Sequence, residues 1–432
     1  AREEVRASLA DCLDGIDPER TASILTDATD AVLDGVLTVA TGLVIAQRDG
    51  IGAVATGPDT SGGWDGALAR HAVIAMGRLG GREIGYASDA DVLFVHEAHD
   101  AVSEAAAAQE AEAVAKQVVG LLASARPHPL EVDSDLRPEG RQGVMSRSLE
   151  AYGEYYGRWS ALWERQALLR ARACAGDRDL GRRFEKLINP LRWAEDGLSS
   201  QDLREIRRIK ARVETERLPR GVDPARHLKL GPGGLSDVEW SAQVLQLAHA
   251  GRTPELRTTS TIGALQAAVR AGLLSADDGG VLASTWILAS RLRSAIVLGT
   301  GRASGPRSQV LPVQIREIRL VGRLIGLSSG KERELEDLYR RSARHTRAVA
   351  ERIVFTDGTA HGSPPSAPTP STSTSVSQDQ SAEPAPGRST GSARNAHGQS
   401  RRGTAASGSR SPRRAGRNRA TRRRPEGPYP WS

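Results

Sequence analysis

Two aspartates one residue apart, Asp89 and Asp91, open the apolar run Val92-Leu93-Phe94-Val95. Alternate side chains of a β-strand share a face, so the two carboxylates are expected side by side. At that spacing they repel unless a cation lies between them. A third carboxylate, Asp133, stands in a second strand candidate over 130–136. If the two strands are neighbours, Asp89, Asp91 and Asp133 can converge on divalent cations. Mg²⁺ suits them, because it takes oxygen ligands and is held by one or two carboxylates plus substrate phosphates. A pair of such ions can orient a triphosphate and activate an attacking hydroxyl, the logic of nucleotidyl transfer.

Upstream lies Gly77-Arg78-Leu79-Gly80-Gly81-Arg82-Glu83, a glycine-rich turn after the apolar run 72–76. Gly77, Gly80 and Gly81 would let backbone N–H groups approach phosphate oxygens. Most Asp-x-Asp pairs are turns or solvated faces, and most glycine-rich turns are only turns. What points to a site is their joint occurrence, in order, between strands.

Arg82, Arg137 and Lys229 are candidate triphosphate contacts, since guanidinium forks suit phosphate and Lys acts as a point charge. Ordinary salt bridges are the alternative for each. Gly233-Gly234, near Lys229, reads either as a backbone approach to phosphate or as a loop before a helix capped by Ser236. His71, His96, His227 and His345 show neither triad nor metal spacing. Trp159, Trp163, Trp193, Trp240 and Trp286 fall in helical patterns and are assigned to the core. The Arg-rich stretch 204–217 reads as a solvated helix face.

The elements that must position these residues follow from composition and period. Residues 1–56 read as helical and 57–63 as a loop. A strand–turn–strand unit spans about 71–97, and an Ala- and Glu-rich helix follows over 102–124. From 149 to 355 apolar residues recur at spacings of three and four almost throughout, with few strand signals. The fold class is therefore α+β: a small catalytic domain with a mixed sheet over 1–148, an α-helical domain over 149–357, and a tail over 358–432. The tail is rich in Ser, Pro and Arg and poor in apolar residues, and is expected to be disordered. It contains twelve arginines and three acidic residues, a net of +9, so the overall +7 leaves −2 for the remainder. Charge thus gives no reason to expect nucleic-acid binding by the body. Two cysteines, Cys12 and Cys174, make no disulfide framework or metal motif and suit a reducing cytoplasm. No apolar run approaches the length needed to span a bilayer and no signal peptide is visible. The abrupt start at Ala1 is expected to belong to a longer protein.

Gly77-Arg78-Leu79-Gly80-Gly81-Arg82-Glu83 followed by Ser88-Asp89-Ala90-Asp91 resembles the signature of the glutamine synthetase adenylyltransferase family, within the polymerase β-type nucleotidyltransferases. Four later blocks are similar in the family's order: 132–140, 163–172, 206–214 and 229–240. The resemblance covers roughly 20–355 and not the tail. It implies a polymerase β-like catalytic domain, Mg²⁺ as cofactor and ATP as substrate. It further implies Asp89, Asp91 and Asp133 as catalytic metal ligands, with Gly77, Gly80, Gly81, Ser88, Arg137 and Lys229 around the nucleotide. Asp135 departs from a common Arg, and is expected to form a salt bridge instead of ligating. Family members carry two similar halves, one removing AMP from glutamine synthetase by phosphorolysis and one adding it from ATP to a tyrosine. Ser236-Asp237 in the last block favours the adding half. Glutamine synthetase is the implied partner and a PII-type signalling protein a second, in the cytoplasm. The rivals are the removing reaction and a non-catalytic fragment that binds those partners.

Overall fold

The computed structural model describes residues 2–50, 66–126, 129–303, 305, 307–328, 330–331 and 334–355. The loop expected at 57–63 and the tail at 358–432 lie outside these residues.

The chain opens with two helices, α1 (Arg2–Asp14) and α2 (Pro18–Asp49). Asp17 caps α2 by accepting from the N–H groups of Glu19 and Arg20, with Pro18 at the first helical position. β1 (Ala69–Ala75) leads into the single turn α3 (Gly77–Gly80), and β2 (Ala90–Ala98) follows. Then come α4 (Glu104–Ser124), β3 (Val132–Asp133), β4 (Ser146–Ser148), α5 (Leu149–Trp159), α6 (Leu162–Leu168) and β5 (Arg172–Gly176). The remainder is helical: α7 (Arg178–Arg192), α8 (Ser200–Glu216), α9 (Leu235–His249), α10 (Thr261–Arg270), α11 (Ala276–Thr300), α12 (Ile315–Leu324) and α13 (Glu334–Phe355).

The sheet is mixed and ordered β3-β2-β1-β5, with β4 also on β2. β1 pairs antiparallel with both β2 and β5, while β3 and β4 run parallel to β2. Helices cover both faces, which explains the continuous apolar runs at 72–76 and 92–95. Val73, Ala75, Val92 and Phe94 pack with Leu33 and Leu37 of α2 and Val114 and Val118 of α4. Ile74, Leu93 and Val95 pack with Tyr152, Leu168, Leu180 and Phe184 of α5 to α7. A third core, including Ile206, Ile209, Val238, Trp240, Leu265, Trp286 and Tyr339, holds α8 to α13 together.

Four expectations change. β5 lies beyond the boundary expected at 148, in a stretch read as helical. The strand expected over 130–136 shrinks to Val132–Asp133, because the Asp135 N–H turns back onto Asp133 Oδ1 at 2.7 Å and ends the ladder. Two helices, Pro18–Asp49 and Ala276–Thr300, are long and apolar enough to cross a membrane by length and composition. In the fold, however, Leu25, Leu33, Leu37 and Ala40 of α2 and Leu282, Trp286, Ala289 and Leu292 of α11 are buried in protein cores. Trp159 is 59% exposed at the end of α5, outside any core.

Candidate active site

β2 and β3 are neighbours, and their register sets Asp91 directly across from Asp133. Asp89 lies one residue before β2 begins. One carboxylate oxygen from each of Asp89, Asp91 and Asp133 falls within 4.8 Å of the others. Gly77 is the residue that permits this closeness from the side of β1. Its φ is +50°, and a Cβ there would sit 2.0 Å from Asp91 Oδ2. Any side chain at 77 would displace the carboxylate.

Electrostatics follow from that crowding. Burial, and next the charge of Asp89, push the Asp91 carboxyl up to about 7. Burial also raises Asp133, whose Oδ1 is steadied by the Asp135 N–H. An all-oxygen donor set whose members resist ionising together is what a hard divalent cation relieves, so these residues fit Mg²⁺.

Lys229 belongs here. Burial pushes its ammonium down, opposed by the charges of Glu239, Asp91 and Asp89. It lines a cleft together with Gly77, Asp91, Leu136, Leu230, Glu239 and Trp240.

Other expected contacts go elsewhere. Gly80 and Gly81 are buried, and their N–H groups are spent on the Met76 and Gly77 carbonyls. A Cβ on Gly80 would meet the Arg170 carbonyl oxygen at 1.8 Å. A Cβ on Gly81 would meet Arg170 Nη1 at 2.6 Å and the Thr259 carbonyl oxygen at 3.1 Å, so these two glycines make room for other parts of the protein. Arg137 is also diverted: its guanidinium donates to the carbonyls of Ser134 and Gly143 and to Ser134 Oγ, and it lies 3.6 Å from Asp135. It braces the loop after Asp133. Asp135 takes the salt-bridging role expected of it, with Arg141 at 2.6 Å. Arg82 pairs with Asp27 at 2.6 Å on the surface. Ser88 Oγ accepts from the Gly85 N–H and closes the turn that delivers Asp89. Gly233 packs its Cα against the Ala343 backbone, and Gly234, not Ser236, is the N-cap of α9.

Sequence reasoning missed Arg78, Glu83 and Arg170. Glu83 is buried and accepts from Arg170 Nη1 at 2.6 Å, the Thr261 N–H at 2.5 Å and Thr261 Oγ1 at 2.8 Å. This ties the turn after α3 to the first residue of α10, which is 178 positions away. Arg78 Nε donates to the Glu83 carbonyl at 2.8 Å. Both lie in the glycine-rich motif, so proximity to Asp89 was the available signal; their partners were not visible in it.

Residues 1–187 match the family model of glutamate-ammonia ligase adenylyltransferase. Residues 206–354 match the model of GlnD PII-uridylyltransferase. The chain is 52% identical over 288 residues to the bifunctional glutamine synthetase adenylyltransferase/adenylyl-removing enzyme of Streptomyces coelicolor, covering 66% of this chain and 28% of that protein. It is 45% identical over 354 residues to the protein of the same name from Mycolicibacterium smegmatis, covering 82% of this chain and 33% of that one. The chain thus spans about a third of the length of these relatives.

Proposed function

Because the chain belongs to the glutamate-ammonia ligase adenylyltransferase family, we propose that its carboxylate cluster transfers AMP from ATP to a tyrosine of glutamine synthetase. The observation that carries this reading is the convergence of Asp89, Asp91 and Asp133 within 4.8 Å beside Lys229. In this reading residues 66–176 form a polymerase β-like nucleotidyltransferase unit.

Asp89, Asp91 and Asp133 would hold Mg²⁺, which when bound neutralises phosphate charge and favours the alkoxide form of a nearby hydroxyl. Lys229 binds an oxygen of the α-phosphate as a point charge. The tyrosine oxygen attacks the α-phosphorus in line, the bond to the bridging oxygen of the β-phosphate breaks, and pyrophosphate leaves. Asp133, whose Oδ1 is engaged by the Asp135 N–H, is placed through Oδ2 either to accept the tyrosine proton or to steer the metal that lowers the hydroxyl's pKa. Gly77 keeps Asp91 against the backbone, and the Glu83–Arg170–Thr261 linkage holds the turn to the helices.

Ser236-Asp237 supports addition over removal of AMP. A PII-type protein is the second proposed partner, on the strength of the match over 206–354, and the cytoplasm is the proposed location. Incubation with unmodified glutamine synthetase and Mg²⁺–ATP should yield the adenylylated subunit, read by mass spectrometry. Incubation of adenylylated enzyme with phosphate should release no ADP. The opposite pair of results would assign the removing reaction.

A further inference from the structure

Helix α8 turns one face inward, with Ile206, Ile209, Lys210 and Val213 buried along it. Val213 lines the Lys229 cleft with Asp91 and Leu136. The next position on that stripe is Arg217, the C-cap of the helix. Among the charges of the carboxylate cluster Lys229 responds to Asp91 and Asp89, whereas Arg217 responds to Asp133. The two cations therefore stand at different ends of the cluster.

An arginine at a helix C-terminus ordinarily lies in solvent, where it complements the macrodipole. Arg217 is instead half-buried, and its side chain makes no hydrogen bond or ion pair with any described residue. Burial holds its guanidinium below its ordinary value, opposed first by the charge of Asp133 and then by that of Glu216. The nearby acids have other partners. Glu216 is taken by Arg212 at 3.1 Å, and Asp135 by Arg141 at 2.6 Å. A guanidinium offers five donors and no acceptor, and a carboxylate meets them best through two parallel bonds. In the transfer reading Asp133 is the carboxylate that meets the acceptor hydroxyl. What comes within reach of Arg217 is then the polypeptide around the acceptor tyrosine.

We propose that Arg217 selects the acceptor: its guanidinium binds a carboxylate of the target polypeptide beside the tyrosine, so that the site takes tyrosines with acidic neighbours. This rests on the nucleotidyl-transfer reading and adds the chemistry by which the protein substrate is chosen. Lys229 serves the nucleotide at one end of the cluster, and Arg217 serves the acceptor at the other.

The test uses fluorescence anisotropy on the full chain with Mg²⁺ and two labelled peptides, a tyrosine flanked by glutamates and its counterpart flanked by glutamines. The unmodified chain should bind the acidic peptide about tenfold more tightly, as expected for a charge-assisted hydrogen bond. Arg217→Gln has no internal hydrogen bond to lose. It should remove that preference and change Mg²⁺–ATP affinity less than about twofold. Arg217→Lys keeps the charge without the fork and should fall between the two. With glutamine synthetase as substrate, Arg217→Gln should raise KM about tenfold while kcat falls less than about twofold. A preference that survives in Arg217→Gln, no preference in the unmodified chain, or an equal loss of Mg²⁺–ATP affinity in Arg217→Gln would each overturn the assignment. An unmodified chain that prefers the acidic peptide through Arg217 but adds no AMP to glutamine synthetase would retain the selectivity and remove the target.

Discussion

Lys210, Glu214, Asp237 and Arg347 bury their charges against one another where α8, α9 and α13 meet. Lys210 pairs with Asp237 and lies 2.9 Å from Glu214, Arg347 reaches Glu214 at 2.9 Å, and Asp237 also accepts from the Gly233 N–H at 2.6 Å. At the end of β2, Asp89, Asp91 and Asp133 crowd like charges together, and within 4 Å no described cation pairs with any of them. The first group is closed around Lys210 and Asp237, each 2% exposed, and removing either leaves the other buried without its nearest partner. The second is open: removing Asp89 or Asp91 relieves repulsion and breaks no ion pair among the described residues. Buried charge that is satisfied internally serves the fold, and buried charge left in conflict serves a ligand.

The comparison can be broken most directly at Asp91. Asp91→Asn should lower AMP transfer about 10³-fold or more, while its unfolding midpoint in urea stays at or above that of the wild type. A variant that loses activity only because it unfolds would erase the distinction. On the closed side, Asp237→Ala should destabilise the protein by about 3 kcal/mol, read from the same urea titration. A loss below about 1 kcal/mol would show that Lys210 and Arg347 find other partners.

A smaller effect comes from two buried groups that avoid charge altogether. His71 and His96 face each other across β1 and β2. Burial, with the neighbouring histidines His96 and His99, pushes His71 down to about 3, and burial pushes His96 down to about 4 against the opposing charge of Glu112. Their folded values lie below the ordinary 6.5, so the unfolded chain binds the extra protons. Stability is full above about pH 6.5 and lost as pH falls towards the folded values. Between pH 6.5 and 5 the loss should be about 2 kcal/mol per histidine, and His71→Leu should flatten the curve. The smallest effect sharpens the open cluster: Mg²⁺ at ten times its Kd should raise wild-type stability by about 1.4 kcal/mol, and Asp89→Asn should abolish that gain.

What was legible in the sequence tracks the range of the forces involved. Asp89, Asp91 and Gly77 were readable because strand period and glycine's conformational freedom are local. Asp133 was readable as a strand carboxylate, although only two residues of that strand pair. Gly80 and Gly81 misled because a glycine states that something comes close without saying what: here it is the Arg170 backbone at Gly80, and the Arg170 guanidinium with the Thr259 carbonyl at Gly81. Arg137 misled because its acceptors are carbonyls six residues away or fewer, in a loop with no periodic signal. Arg78 and Arg170 were invisible because their meaning depends on Glu83 and Thr261. The Arg-rich stretch 204–217 was taken as a solvated face, yet Ile206, Ile209 and Lys210 are buried. Lys210 alone looks solvated; only with Asp237 on α9 does its burial make sense. β5 escaped because Arg-Ala-Cys-Ala-Gly has no β-branched or aromatic residue to mark it.

That inconspicuous strand governs how the polypeptide can be cut. β1 is an interior strand only because β5 returns, after α5 and α6, to pair with Ala72–Ala75. A polypeptide ending at Ser148 would keep Asp89, Asp91 and Asp133 and still bare the flank of β1 along Ala72–Ala75, with free N–H and C=O groups on an apolar strand. Such an edge recruits other strands, so that shortened product should come out of expression as aggregate, and the shortest soluble piece should extend past Gly176 and the α7 helix that covers it.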